Sequence, residues 1–281
     1  MTISIAHLGP KGTNAETAAL AYAKWRSQAK GQESVLCPCP SIAQTLKAVA
    51  KGETELAMVP VENSTEGGVA ITLDTLWELD RLQIQQELVL PIVHVLLSHG
   101  KSLQEIKTIY SHPQALAQCQ KWLELHLPLV QLIPTNSTTE AVQQISQNLN
   151  AGAIASPRAS KLYKVPILAE NINDYPDNCT RFWVVGLTPT TEGDRMSLAY
   201  SIPANLPGAL MKTLQVFAER NINLSRIESR PTKRSLGEYL FFIDLEGRMT
   251  QEALTELSNY TEVIKTFGSY SILPIQDIAI D

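Results

Sequence analysis

Short apolar runs alternate with amphipathic stretches along the chain: Ile3 to Leu8, Ala15 to Trp25, Val35 to Cys37, Ile42 to Ala50 and Leu56 to Val61. Strand-length runs separated by helical periods bury their apolar faces most readily as an α/β fold with a largely parallel sheet, so this fold is expected for residues 1–187. Leu187-Thr-Pro-Thr-Thr-Glu-Gly-Asp194 is rich in turn formers and has no apolar period, which places a linker at 188–195. A second domain is expected at 196–281. Its pattern is strand (Ser197 to Ile202), helix (Pro207 to Arg220), strand (Ile222 to Ser229), strand (Glu238 to Leu245), helix (Thr250 to Tyr260) and strand (Val263 to Ile272). That βαββαβ order is the α+β ferredoxin-like arrangement. Pro207 suits a first helical position, Leu210, Leu214 and Phe217 share a helical face, and Tyr239, Phe241, Ile243 and Leu245 share a strand face. Two domains also suit the 281 residues, at roughly 150 per domain.

With 44% hydrophobic and 18% charged residues and a net charge of 23 − 28 = −5, the chain has a globular composition. It lacks the basic excess of a nucleic-acid binder. Met-Thr-Ile-Ser-Ile-Ala-His shows no basic region leading into an apolar run, so a cytoplasmic location is expected. Leu88 to Leu97 is interrupted by Pro91 and His94 and is too short to span a bilayer, which takes about 20 residues; it reads as a strand. Cys37, Cys39, Cys119 and Cys179 are scattered and lack zinc-ligand spacing, so reduced thiols and no metal or cofactor are expected.

Small polar clusters follow the apolar runs, where backbone N–H groups at helix starts favour anions. They are Gly9-Pro10-Lys11-Gly12-Thr13, Glu62-Asn63-Ser64-Thr65-Glu66-Gly67-Gly68, Ser111-His112-Pro113-Gln114-Ala115, Asn136-Ser137-Thr138-Thr139-Glu140, Ser156 and Asp177-Asn178-Cys179-Thr180-Arg181. Each could be a plain helix cap. Together they suggest a cleft for a small polyanion, with Arg181 as a candidate cationic clamp. Neither a P-loop nor G-x-G-x-x-G is present. His112 could act as a base or simply bond locally, and Cys179 has no evident basic partner.

These stretches resemble the monofunctional prephenate dehydratases, from near Ile5 to near Ile272. The matching motifs are Gly9-Pro-Lys-Gly-Thr13, Pro60-Val-Glu-Asn-Ser64 with Gly67, Ser111-His-Pro-Gln-Ala115, Ser137-Thr138 with Ala141, and Asn178-Cys-Thr-Arg-Phe182. In the second domain, Gly208-Ala209-Leu210 and Glu228-Ser229-Arg230-Pro231 resemble the effector motifs of a regulatory ACT domain. Asn14-Ala15 and Met211 depart from the usual pattern. The resemblance implies a two-lobed catalytic domain like a type II periplasmic binding protein. Lobe 1 would span about 1–77 and 171–190, and lobe 2 about 78–170.

It further implies that prephenate loses its ring hydroxyl and ring carboxylate to give phenylpyruvate, with Thr180 assisting the departing oxygen. Thr13, Asn63, Ser64, Ser111, Ser137, Thr138 and Arg181 would hold the substrate and Phe182 would wall the cleft or pack in the core. Glu62 is an alternative proton donor. L-Phenylalanine would inhibit at the effector motifs, where Arg230 could instead make a structural salt bridge, and paired ACT domains would give a homodimer or homotetramer. An arogenate dehydratase and a non-catalytic amino-acid sensor remain the alternatives at this stage.

Overall fold

A computed structural model describes residues 2–145, 148–203 and 206–274. The first lobe contains β1 (Ile3–Leu8), α1 (Asn14–Lys30), β2 (Ser34–Cys39), α2 (Ile42–Ala50), β3 (Leu56–Asn63), β4 (Gly67–Gly68), α3 (Ala70–Glu78) and β5 (Gln83–Pro91). The second contains β6 (Val95–Ser98), β7 (Thr108–Ser111), α4 (Pro113–Ala117), α5 (Gln120–His126), β8 (Gln131–Pro134), α6 (Thr138–Gln144), β9 (Ala151–Ala155), α7 (Pro157–Tyr163) and β10 (Ile167–Ala169). β11 (Cys179–Gly186) then returns to the first lobe between β5 and β3, antiparallel to both. The first sheet runs β5-β11-β3-β1-β2 and the second β10-β6-β9-β7-β8. Among the described residues no helix is long and apolar enough to cross a membrane.

The lobe boundary expected at residue 78 lies too early, because β5 pairs with β11 in the first sheet. The chain crosses at Ile92–His94, so the apolar run from Leu88 to Leu97 forms two strands rather than one. Backbone pairing explains the break. The Ile92 N–H donates to Asn178 O (2.8 Å), the His94 N–H to Asn173 Oδ1 (2.6 Å), and the Ile172 N–H to His94 O (3.1 Å). These bonds join the outgoing crossover to the returning one, leaving two adjacent hinge segments.

The C-terminal domain has the expected βαββαβ order: β12 (Arg195–Ser201), α8 (Ala209–Ala218), β13 (Leu224–Pro231), β14 (Tyr239–Glu246), α9 (Gln251–Ser258) and β15 (Val263–Tyr270). Its sheet runs β13-β14-β12-β15. One face packs Leu198, Tyr200, Ile243 and Leu245 under α8 and α9, beside Val216, Phe217, Ala253 and Leu257. The other face is also buried. Ala199, Leu240, Phe242, Phe267 and Tyr270 join Leu76, Ile84, Trp183 and Val185 of the first lobe in one core.

Beyond β15 the described residues leave this domain, although 196–281 was expected to belong to it as a whole. After β15, β16 (Ile272–Leu273) pairs parallel with β5 and extends the first-lobe sheet. Residues 275–281 of the expected second domain lie outside the described residues. The linker is also pinned. A Cβ on Gly193, whose φ is +136°, would stand 2.2 Å from the Tyr270 carbonyl. Gly193→Ala is therefore expected to lower unfolding free energy by about 1–3 kcal/mol in urea titrations; an unchanged midpoint and slope would contradict this packing.

Candidate active site

The lobes enclose a cavity of about 600 Å³, within the usual range for small-ligand clefts. The first lobe supplies the Leu8–Ala15 loop region, Asn63, Thr180 and Phe182, and the second supplies His112, Gln114 and Asn136 to Thr138. Because side chains alternate along a strand, Thr180 and Phe182 face the cleft while Arg181 faces away. Phe182 both lines the cleft and packs in the first-lobe core, where it is 1% exposed.

Thr180 lies at the end of a chain of oriented amides. The Thr65 and Glu66 backbone N–H groups both donate to Asn63 Oδ1, at 3.1 and 3.2 Å. Backbone N–H groups can only donate, which identifies that atom as the oxygen and the other as the amide nitrogen. Asn63 Nδ2 donates to Thr180 Oγ1 (2.9 Å) and to Asn178 Oδ1 (2.9 Å). With the Thr180 oxygen accepting from Asn63, its own hydroxyl hydrogen is left to donate elsewhere, and Thr180 lines the cleft.

The chain continues across the lobes. Asn178 Nδ2 donates to Gln118 Oε1 (3.0 Å), which also faces His94 Nε2 at 2.9 Å. Gln118 Nε2 donates to Thr65 Oγ1 (3.0 Å).

The other expected residues divide between the cleft and the framework. Thr13 lines the cleft, but its hydroxyl is occupied: it donates to Leu8 O (2.9 Å) and accepts the Glu16 N–H (3.2 Å) as the α1 cap. Ser137 and Thr138 line the cleft at the start of α6, where Ser137 Oγ accepts the Glu140 N–H (3.0 Å). His112 lines it too and caps α4, with Nδ1 accepting the Gln114 N–H (3.3 Å). Ser64 is outside the lining set. It donates to Asn178 Oδ1 (3.2 Å) and accepts the Cys179 N–H (3.0 Å), fastening the turn after β3 to the start of β11. Ser111 is fully buried and donates to Ile154 O (2.7 Å), joining β7 to β9.

Arg181 is not a clamp in the cleft. Its guanidinium donates to Glu62 (2.7 Å), to both oxygens of Glu87 (3.1 and 2.6 Å) and to Asp244 of the C-terminal domain (3.1 Å). Burial opposes its charge, yet these carboxylates hold its pKa above the ordinary arginine value. The same pairing removes Glu62, the alternative acid, from the cleft face. Across the cleft, Arg158 pairs with Glu16 and the Tyr163 hydroxyl donates to Lys11 O (3.3 Å), joining the lobes.

Nothing in the sequence marks Gln118 or His94 as site residues, and Asn178, though it opens the motif ending at Phe182, carries no assigned role there. Gln118 lies just beyond the Ser111–Ala115 motif, and the other two flank the hinge crossings. Among the described residues, no lysine or arginine lines the cleft and no group of three or more His, Cys, Asp or Glu residues could hold a metal ion. Cys179 is a free thiol.

The effector motifs also divide. Gly208, Ala209 and Leu210 line a second cavity of about 450 Å³ with Met211, Tyr239 and Phe241. Gly208 has φ +80° where α8 begins. Glu228 and Arg230 instead turn toward the first lobe. Glu228 accepts from Arg226 (2.9 Å) and lies against Gly68, while Arg230 forms a two-bond pair with Asp74 at 3.0 and 3.1 Å. Ser229 and Pro231 are exposed on β13, an edge strand. Within a single chain Glu228 and Arg230 do not share the cavity beside Gly208, because alternation along β13 sends their side chains to the domain boundary.

Comparison with known proteins agrees with this architecture. Residues 5–190 match the prephenate dehydratase family and residues 200–261 the ACT domain. A prephenate dehydratase of Lactococcus lactis subsp. cremoris is 37% identical, covering 98% of this chain and 100% of its own. A bifunctional chorismate mutase/prephenate dehydratase of Aquifex aeolicus is 41% identical, covering 98% of this chain and 75% of its own. The crystal structure of an Arthrobacter aurescens prephenate dehydratase in complex with L-Phe has a TM-score of 0.83 at 36% identity, covering 96% of this chain and 90% of that one. The match extends from the Thr180 cleft through the C-terminal sheet, and the chain belongs to the prephenate dehydratase family, with a C-terminal ACT domain.

Proposed function

We propose that the cleft converts prephenate and one proton to phenylpyruvate, water and carbon dioxide, with Thr180 donating its hydroxyl hydrogen bond to the departing ring oxygen. The observation that carries this reading is the Asn63 amide, whose orientation leaves the Thr180 hydroxyl free to donate. Threonine is a weak acid, so its contribution is that of an oriented donor aimed at developing charge, most effective where water is excluded. The substrate's carboxylates meet backbone N–H groups at the start of α1 and small polar side chains, not a guanidinium. An arginine on the ring carboxylate would stabilise the group that has to leave, whereas weak solvation of that carboxylate favours its loss as carbon dioxide. Aromatisation of the ring supplies the driving force.

L-Phenylalanine is the proposed inhibitor, bound beside Gly208 to Leu210. The pairing of ACT sheets through their β13 edges would bring a partner's exposed Ser229 and Pro231 to that cavity, giving a homodimer or a homotetramer. Inhibition then requires phenylalanine to favour one arrangement of the lobes over the other. Glu228 against Gly68 of β4, which pairs with β3, and Asp244 against Arg181 of β11 are among the contacts through which the domain can bear on the cleft. A cytoplasmic location fits this role in phenylalanine biosynthesis.

Purified protein incubated with prephenate and, separately, arogenate tests the reaction. Phenylpyruvate should form from prephenate; turnover of arogenate alone, or of neither, would overturn the assignment. For regulation, Leu210→Asp is expected to abolish calorimetric binding of L-phenylalanine and its inhibition. Inhibition retained in a variant with both effector motifs disrupted would place the effector elsewhere.

A further inference from the structure

His94 is a buried titratable group that the reaction as described does not use. It is 4% exposed, lines the cleft and stands on the outgoing hinge crossover, fixed there by its backbone bonds to Asn173 and Ile172. The amide chain determines its tautomer. Since Asn63 Oδ1 accepts two backbone N–H groups, Asn63 Nδ2 must be the donor to Asn178 Oδ1, and Asn178 Nδ2 the donor to Gln118 Oε1. Gln118 therefore presents an oxygen to His94, and the proton on the ring must sit on Nε2. Among the described residues Nδ1 has no hydrogen-bond partner. Burial holds the ring's pKa below the ordinary histidine value, against the opposing effect of the bond to Gln118, which agrees with a neutral ring.

We infer that His94 is a positioning residue for the dehydration: its Nε2–H on Gln118 Oε1 fixes the Gln118 amide, which in turn supports the Asn63 orientation that aims the Thr180 hydroxyl. Gln118 is the one member contributed by the second lobe, and its Nε2 returns to the Asn63 turn through Thr65 Oγ1 (3.0 Å) and Asn63 Oδ1 (3.4 Å). The loop of bonds thus closes only with both lobes in place. Networks of this kind orient their members cooperatively. The chain from Thr180 to His94 crosses from the first lobe to the hinge, so His94 links hinge geometry to the direction of one hydroxyl. The inference rests on the proposed role of Thr180.

The test compares His94→Leu, which removes the donor, with His94→Gln, whose amide can offer an N–H to Gln118. For prephenate, His94→Leu should lower kcat about tenfold or more with KM within about threefold, and His94→Gln should recover most of that loss. Gln118→Met made alone and combined with His94→Leu completes the cycle, and the two losses should not add, since both act through one amide. Calorimetric binding of L-phenylalanine by each variant reports an intact fold without reference to turnover. Wild-type kcat in His94→Leu would overturn the inference, as would equal losses in the leucine and glutamine variants or additive losses with Gln118→Met. Failure of the wild-type protein to use prephenate would instead overturn the functional reading.

Discussion

Thr180→Val is expected to lower kcat for prephenate about a hundredfold or more in a folded protein, since removing one oriented donor from a dry site typically has that effect. Valine nearly matches threonine in shape, so the packing beside Phe182 survives. The Asn63 amide keeps Asn178 Oδ1 as an acceptor when Thr180 Oγ1 is removed, so the stability loss should be near that of one hydrogen bond, about 1 kcal/mol. Thr180→Ser retains a hydroxyl without the methyl that fixes its rotamer and should fall between valine and wild type. Steady-state kinetics with matched circular dichroism separates the effects. A Thr180→Val protein turning over near the wild-type rate would remove Thr180 from the reaction.

The second large effect concerns Arg181 and is one of stability. Its guanidinium is shared by Glu62, Glu87 and Asp244, whose side chains are 31%, 3% and 2% exposed. Arg181→Met would leave these carboxylates facing one another without their common cation. Breaking such a buried pair from one side costs about 3–5 kcal/mol, mostly through the uncompensated charge. Adding Glu87→Gln should restore part of the loss, because glutamine removes a charge yet its oxygen can still accept the Trp183 Nε1–H (3.0 Å). Urea denaturation of the two variants checks this, and a further loss in the double variant would contradict it.

The pH dependence has a definite sign. Burial alone would raise the Asp244 pKa, but Arg226 and Arg181 hold it below its ordinary value of 3.8. A group with a lowered folded pKa contributes stability above its unfolded pKa and loses that contribution as pH falls through the folded value. Wild-type stability should therefore decline from about pH 4 downward. Glu228 has the opposite sign: burial, ahead of the opposing Arg226 charge, raises its pKa above 4.5. Its ionised form is disfavoured in the folded protein as pH rises, so it does not share in the acid loss attributed to Asp244.

Much of this could be read from residue order, and the misplacements share a physical origin. The alternation of strand and helix periods gave the α/β domain, and the βαββαβ order survived with helix and strand ends shifted by a few residues. Alternation along β11 already separates Arg181 from Thr180 and Phe182. Because Phe182, Trp183, Val184 and Val185 are all buried, the strand has no solvent face to tell which side meets the cleft. On β13 the alternation does leave a solvent face, with Ser229 and Pro231 exposed; what concealed the turn of Glu228 and Arg230 toward the domain boundary is that Asp74, the partner of Arg230 there, lies 156 residues away in the chain. Gln118 and Asn178 meet across 60 residues of chain, a contact no local period encodes. β16 was missed because Ile272 and Leu273 continue the apolar pattern of β15; only the pairing with β5 assigns them to the other sheet.

The most direct measurement is a crystal structure with an unreactive prephenate analogue that retains the ring hydroxyl. The account predicts that this hydroxyl lies within hydrogen-bond distance of Thr180 Oγ1, with Asn63 Nδ2 still bonded to the same threonine oxygen. A ring turned so that its hydroxyl faces the α6 side of the cleft, with Thr180 bonded only to protein, would contradict it.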